Sequence, residues 1–447
     1  MKEHIVVIFF MVMSGVWGMV VNDKWRRVFM PWCLAVLLMN LSCGAFYVGP
    51  LRVVYALSNY SIFVILCDGF GFGKRGHNPV WKLFMVFWAY MFLACFWGYY
   101  AIEGVFLWIK VLFTSFCCGY YFSRWAIQSE GAMRRTSLAF AVTGAITLFL
   151  YWRHGGIAVM DESMGGRAAL DAETLAEGVK SNANYTAGAL SNLMMFLLFA
   201  IIRPVRSRED VWLKWISAAE LAIAGIMMIR CGSRGAVIGL LPALWFVVSS
   251  GKGRLKRKVR IGVLVAAGIV LSIGVYFVKG NVGELRAFRI YSDDTSSYYD
   301  SSMDRLTTGR SSMWKWHLSM MTPIDYMIGQ GFTKESMVAS ERTERLRLTI
   351  GNAHSMYMTV FYHAGTIGVF IFLFYILGCL RRGMKMGLRG RVALVFFGAW
   401  MLMGIGESAG MTGTFMGVIG GIGCGLLTQG PAANSEFGER QLVWYGR

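Results

Sequence analysis

Residues 352 to 370 read "NAHSMYMTVFYHAGTIGVF". The stretch begins as polar chain around His354 and becomes an apolar run of the kind that crosses a lipid bilayer. Beyond it the chain stays apolar to about residue 380 and then meets the basic cluster "RRGMKMGLRGR" at 381 to 391. Apolar spans alternating with basic loops recur along the chain, and that alternation decides the fold.

The 447 residues are 56% apolar and 15% aromatic with 7 prolines, the composition of a polytopic membrane protein. A net charge of +19 would suit nucleic acid only if the basic residues formed one contiguous soluble face. They sit in loops instead, so no nucleic-acid partner is expected. The clusters are "DKWRR" at 23 to 27, "KRGHNPVWK" at 74 to 82, Arg124 with Arg134 and Arg135, "RPVRSREDVWLK" at 203 to 214, "KGRLKRKVR" at 252 to 260, and the one at 381 to 391. Between consecutive clusters there is room for two helices of about 20 residues, so all of them fall on one side. The positive-inside rule makes that side cytoplasmic. The nine cysteines lie almost all in apolar runs and read as packing residues, with neither a disulfide framework nor metal spacing. The first 21 residues lack a cleavage site of small residues and read as the first span.

The expected fold is all-α, a polytopic integral membrane protein of about 12–13 transmembrane helices. Spans are expected at 4–21, 28–48, 51–72, 83–101, 104–122, 136–152, 187–203, 213–230, 235–250, 261–279, 354–380, 392–409 and 411–428. The layout is N-terminal spans over 1–152, an outer loop at 153–186, spans over 187–279, a large outer loop at 280–353, spans over 354–429 and a cytoplasmic tail at 430–447. In the large loop Met313, Trp316 and Met320 share one helical face, which predicts an amphipathic helix on the membrane surface.

Four residues stand out for chemistry. The short outer turn "MMIRCGSRGAVIG" holds Arg230 and Arg234, on the side where short loops usually avoid positive charge. If the helix continues through them, their spacing of four puts them on one face. A guanidinium suits a diphosphate, because its planar fork donates two parallel hydrogen bonds; the plainer alternative is snorkelling to lipid headgroups. Arg310 opens the amphipathic segment, followed by "IGQGF" and then His354. His354 can take a proton near neutral pH at the outer mouth of a span, or simply mark the water interface. His363 lies about 13 Å deeper along a helix and is set aside. Gly365 and Gly368, three apart, let a neighbouring helix come close. Asp293, Asp294, Asp300 and Asp304 stand among Ser and Tyr as a solvated loop, and no metal site is expected.

Four signals in order, "SNANYTAGAL", "SRGA", "GRSSMWKW" with "IGQGF", and "HSMYMTVFYHAGTIG", resemble the O-antigen ligase and polymerase family of bacterial surface glycan assembly. The likeness is sharpest over about 180 to 370. Ser355 stands where Asn is commoner in that pattern, and "SNANY" replaces the more usual Asn-Pro-Asn. The resemblance implies a GT-C-like glycosyltransferase in the bacterial inner (plasma) membrane, multi-pass, with its active site on the periplasmic side and no cofactor. It implies an undecaprenyl-diphosphate-linked glycan as donor, Arg234 and Arg310 with Arg230 on the diphosphate, and His354 as the base that activates the acceptor hydroxyl. Two arginines take the place of a metal on the departing diphosphate, and the transfer inverts the anomeric carbon.

The expected activity is that of an O-antigen ligase, with lipid A-core as acceptor. A polymerase acting on a second lipid-linked glycan and a protein O-oligosaccharyltransferase share the same donor motifs. A non-catalytic glycan transporter is the reading from another class. It would place polar or charged residues near the bilayer midplane, whereas the charges singled out here lie at the outer boundary.

Overall fold

A computed structural model describes residues 23–43, 47–48, 51–52, 78–98, 101–127, 129–153, 160–161, 167–168, 183–203, 205–231, 233–249, 310–332, 354–406 and 416–428. Among these the protein is helical apart from two antiparallel pairs of two-residue strands, β1 (Tyr47–Val48) with β2 (Leu51–Arg52) and β3 (Met160–Asp161) with β4 (Arg167–Ala168). Four helical segments have the length and composition to cross a membrane: Pro79–Trp97, Arg208–Met228, Met356–Lys385 and Arg389–Gly406. Four shorter apolar ones accompany them, at Arg27–Met39, Ala187–Ile202, Gly235–Val247 and Gly417–Thr428. This is an all-α membrane protein. The expected spans 4–21 and 261–279 and most of 51–72 lie outside the described residues.

The chain forms two compact units. The first takes 1–68, 121–289 and 429–447, and its described helices are α1 (Asp23–Cys43), α5 (Glu130–Arg153), α6 (Ala183–Ile202), α7 (Arg208–Cys231), α8 (Arg234–Gly239) and α9 (Leu241–Ser249). The second takes 69–120 and 290–428 and contains α2 (Pro79–Ala94), α3 (Ala101–Val111), a π-helical stretch Leu112–Cys117, the first three residues of α4 (Cys118–Ala126), whose other six fall in the first unit, α10 (Arg310–Ser319), α11 (Pro323–Ile328), α12 (Met356–Lys385), α13 (Gly387–Gly406) and α14 (Met416–Thr428).

In the first unit α6 and α7 form a hairpin against α5. Phe140 of α5 stacks on Phe196 of α6 with ring centres 4.0 Å apart. The basic segment before α7 is a helix start: Ser207 Oγ accepts from the Asp210 N–H (3.4 Å) while Asp210 Oδ2 accepts from the Ser207 N–H (3.1 Å), a reciprocal capping box. Asp210 is buried and also pairs with Arg203 and with Arg134 (3.2 Å), and Arg206 reaches Glu130 at 2.8 Å. Two of the basic clusters therefore meet at one end of this unit.

In the second unit the core is aromatic. Phe87 and Trp88 of α2, Phe116 of the π-helical stretch, Phe372 and Tyr375 of α12 and Trp400 of α13 are buried, with centroid separations such as 5.0 Å for Phe87–Phe372 and 5.3 Å for Phe116–Trp400. Phe370, Phe374, Leu377 and Met384 form an exposed apolar stripe on the other side of α12, the pattern of a helix whose outer face meets lipid. The C-terminus of α14 is closed by Asn78 Nδ2, which donates to the Thr428 carbonyl (3.0 Å), and by Arg382, which donates to Leu427. Asn78 also caps α2 by accepting from the Val80 N–H (3.0 Å), with Pro79 at the first helical position. Residues 78–82 of one basic cluster and Arg382 of another thus share one end of this unit, and His354 precedes the opposite end of α12.

One expected span changes form. The run over 354–380 predicts a single helix, yet Gly365 has φ 60 and ψ −165. The helix is broken there into Met356–Ala364 and a longer part ending at Lys385. The expected span at 235–250 is likewise two short helices, α8 and α9.

Candidate functional site

The break at Gly365 frees backbone carbonyls that a continuous helix would have satisfied. Residues 330 and 331, together with α2, supply their partners. The Gln330 N–H donates to the Tyr362 carbonyl (2.8 Å), the Gly331 N–H donates to the His363 carbonyl (3.1 Å), and the Tyr90 hydroxyl of α2 donates to the Ala364 carbonyl (3.2 Å). Thr366, just past the break, returns its hydroxyl to the Tyr326 carbonyl at 2.7 Å. "IGQGF", residues 328–332, is therefore a clip on the broken helix.

Its sequence suits the task. Gly329 and Gly331 have φ of 83 and 90, a region where side chains are strained. Between them Gln330 is buried, and its Nε2 donates to the Met320 carbonyl (2.8 Å), tying the clip to the end of α10. α11 enters the clip through a capping box between Thr322 and Asp325, with Pro323 in the first turn. Phe332 closes it, buried, with its N–H on the Ala94 carbonyl at 3.0 Å and its ring 5.2 Å from that of His363.

His354 stands two residues before α12, half-buried, with φ 49. Among the described residues it alone is a non-glycine with positive φ. Holding an L-residue there costs about 1–2 kcal/mol, and such strain concentrates at functional positions. Ser355 follows as the buried N-cap, its carbonyl accepting from the Thr359 N–H (2.9 Å).

Arg310 is the first residue of α10 and is half-buried. α10 meets the His354-bearing segment through the edge-on contact of His317 with Tyr362, centroids 4.9 Å apart. Arg310 lies seven residues before His317, and His354 lies eight before Tyr362. Both candidate residues thus stand about two helical turns from one contact. Among the described side chains of α10, Ser311 and His317 are buried and Met313 is half-buried, as is Met320 just after it. The side chain of Trp316 is outside the described residues.

Arg230 and Arg234 belong to the first unit. Arg230 lies in the last turn of α7, which ends at Cys231, and Arg234 opens α8 after the N-cap Ser233. The helix does not continue from one to the other, so a shared face does not follow from their spacing. Their side chains are outside the described residues, as are Asp293, Asp294, Asp300 and Asp304.

The glycines also part ways. Sequence spacing gave Gly365 and Gly368 one joint role in helix packing. Gly365 instead breaks the helix and admits the backbone of Met327 to Gly329, where a methyl group would overlap the Met327 carbonyl. Gly368 faces Tyr90 of α2, whose Cε1 would stand 3.2 Å from an added Cβ. His363, set aside on depth, is buried with Nδ1 2.8 Å from the Gly331 carbonyl, a partner that requires the proton on that nitrogen. Sequence reasoning passed over the roles of Gln330, Tyr90 and His363. The signal was a polar residue flanked by glycines, seven residues after Pro323. Among the described residues no group of three or more His, Cys, Asp or Glu could hold a metal ion.

Residues 218–373 match the family model described as O-antigen ligase. The match spans about a third of the chain and supports a place among the O-antigen ligases and polymerases. The matched region encloses Arg230, Arg234, Arg310, the 328–332 clip, His354 and both glycines. No curated protein matches the chain. The membrane-spanning helices and the family match together support a membrane enzyme of glycan transfer.

Proposed function

We propose that the protein is an inverting, metal-independent glycosyltransferase of the bacterial inner membrane. It moves a glycan from undecaprenyl diphosphate to an acceptor hydroxyl at the periplasmic face, as an O-antigen ligase with lipid A-core as acceptor. His354 takes the proton of the acceptor hydroxyl. The hydroxyl oxygen bonds to the anomeric carbon from the face opposite the diphosphate, the bond from that carbon to the diphosphate oxygen breaks, and undecaprenyl diphosphate leaves. Arg310 and Arg234, with Arg230, stabilise the charge that grows on the leaving group.

The observation that carries this reading is the strained His354 at the mouth of α12, ahead of a nine-residue segment whose far end is clipped by 328–332. A base must be held still relative to its substrate, and a short helix fixed at its break meets that need. Purified protein with lipid-linked donor and lipid A-core provides the test: His354→Ala and Arg310→Ala should each abolish transfer, and unchanged transfer in either overturns the assignment. A deletion strain fixes the acceptor. Loss of a ligase leaves no repeat on lipid A-core and long chains on the carrier, whereas loss of a polymerase leaves a single repeat attached.

A further inference from the structure

Glu220 lies twelve residues into α7, about 18 Å from Arg208 and near the middle of a helix long and apolar enough to cross a membrane. It is 5% exposed, and both carboxyl oxygens are buried without a hydrogen-bond partner. The carboxyl faces α5 at Gly144: a Cβ there would stand 3.1 Å from Glu220 Oε2 and 2.7 Å from Leu193 Cδ1 of α6. Three helices of the first unit thus converge on one glycine.

The surrounding layer is polar. Ser217, one turn before Glu220 on the same face, has a buried Oγ without a partner. Asn192, next to Leu193 and one turn before the Phe196 that stacks on α5, is 1% exposed, and both of its amide atoms are buried and unpartnered. Thr143 and Thr147 line α5 beside Gly144, with the Thr147 hydroxyl donated to the Thr143 carbonyl at 2.8 Å.

Among the described residues no cation partners Glu220; α8, which packs on α6, opens with Arg234, whose side chain is outside the described residues. α6 has no charged residue; on α5 the nearest charged positions to Gly144 are Arg135 and Arg153, nine residues away on either side and about 14 Å distant. On α7 they are Lys214 and Arg230, six and ten residues from Glu220. Arg167 is the charged residue of β4, which packs against α7, and those of α1 (Asp23, Lys24, Arg26, Arg27) lie in its first five residues. Arg134, Arg203, Arg206, Glu130, Glu209 and Asp210 are paired at the helix ends. A bare carboxylate in hydrocarbon costs several kcal/mol, so an intramembrane carboxyl without a cationic partner marks a site.

We propose that Glu220, with Asn192 and Ser217, binds one small monovalent cation, a proton or a sodium ion, at mid-depth of the α5–α6–α7 core. One carboxylate matches one positive charge, and the amide and hydroxyl oxygens supply neutral ligands; a divalent ion would leave charge over. The site is independent of the transfer reaction proposed above. It is a midplane polar residue of the sort that sequence reasoning sought as a mark of transport and did not find.

Dicyclohexylcarbodiimide partitions into hydrocarbon and reacts with a carboxylic acid: the acid adds its proton and oxygen across one C=N bond, and the adduct rearranges to a stable acylurea. Full-length protein in liposomes, treated across a pH series and read by peptide mass spectrometry, should carry the adduct on Glu220, at a rate falling about tenfold per pH unit once the acid is mostly ionised. Glu220→Gln should lack it while eluting as the wild type does. Slower labelling in sodium chloride than in choline chloride identifies sodium as the ion, and equal labelling identifies the proton. Asn192→Leu, which removes a ligand, should change the pH profile or the sodium protection. An unmodified Glu220 at every pH, or a rate indifferent to both pH and sodium, overturns the proposal; an unaltered profile in Asn192→Leu removes Asn192 from it.

Discussion

Gly331 and His363 bind each other twice: the Gly331 N–H donates to the His363 carbonyl (3.1 Å), and His363 Nδ1–H donates back to the Gly331 carbonyl (2.8 Å). Residues 32 apart in sequence thereby close a gap in a membrane helix, and the backbone N–H of Gly331 does what a helical N–H would have done. This reciprocity gives His363 a structural task.

His363→Ala should lower stability, since it removes a buried hydrogen bond and leaves the Gly331 carbonyl unpaired, at a cost of about 1–3 kcal/mol. Its transfer activity per folded molecule should fall less than that of His354→Ala, where loss of a general base costs about 10²- to 10⁴-fold. Thermal unfolding in detergent and the transfer assay, run on both variants, would show the contrast. Equal activity losses would put His363 in the chemistry.

His354→Gly relieves the positive φ. The variant should lose transfer and yet unfold at a midpoint no lower than the wild type, with a gain of up to about 1–2 kcal/mol from the removed strain. A large drop in stability would mean that His354 is structural.

Gly365→Ala places a methyl group against the Met327 carbonyl at a φ of 60. A loss of more than about 1 kcal/mol is expected, together with faster proteolysis near 328–332 as the clip loosens. Gly387→Ala is the control, since Gly387 also has φ 60 but open space around its Cβ, and it should cost only the backbone strain.

Arg310→Lys keeps the charge and loses the planar fork. If the guanidinium grips a diphosphate through two parallel bonds, transfer should fall well below wild type, by about 1–3 kcal/mol in kcat/KM, and raised donor concentration should recover part of it. Wild-type kinetics in this variant would leave Arg310 as a general positive charge.

Asp210→Ala breaks the capping box of α7 and strands the buried Arg203. Removing one partner of a buried ion pair costs about 3–5 kcal/mol, so the variant should be among the least stable in the first unit, whereas Ser207→Ala should cost about 1 kcal/mol. Unfolding midpoints of the two would rank them.

Much of the architecture was legible because hydrophobic length is a local quantity. A span such as 187–203 or 392–409 announces itself by composition, and α6 and α13 form there. Basic clusters were legible for the same reason: the lysines and arginines that flank α2, α12 and α7 stay at helix ends because charge is costly anywhere else. The candidate site was legible only as order along the chain, with Arg310 opening a helix and His354 opening a span.

What the sequence by itself determined, then, is an all-α membrane chain with its charges at helix ends and His354 at the mouth of an apolar run. Only tertiary structure decided that this run breaks at Gly365, because the break is stable solely where the N–H groups of Gln330 and Gly331 and the Tyr90 hydroxyl arrive to satisfy the freed carbonyls. It also decided that Glu220, one acid in a long apolar helix, lies buried against Gly144 instead of at a boundary. Both depend on groups far apart in sequence, and no local rule of length, charge or period carries that information.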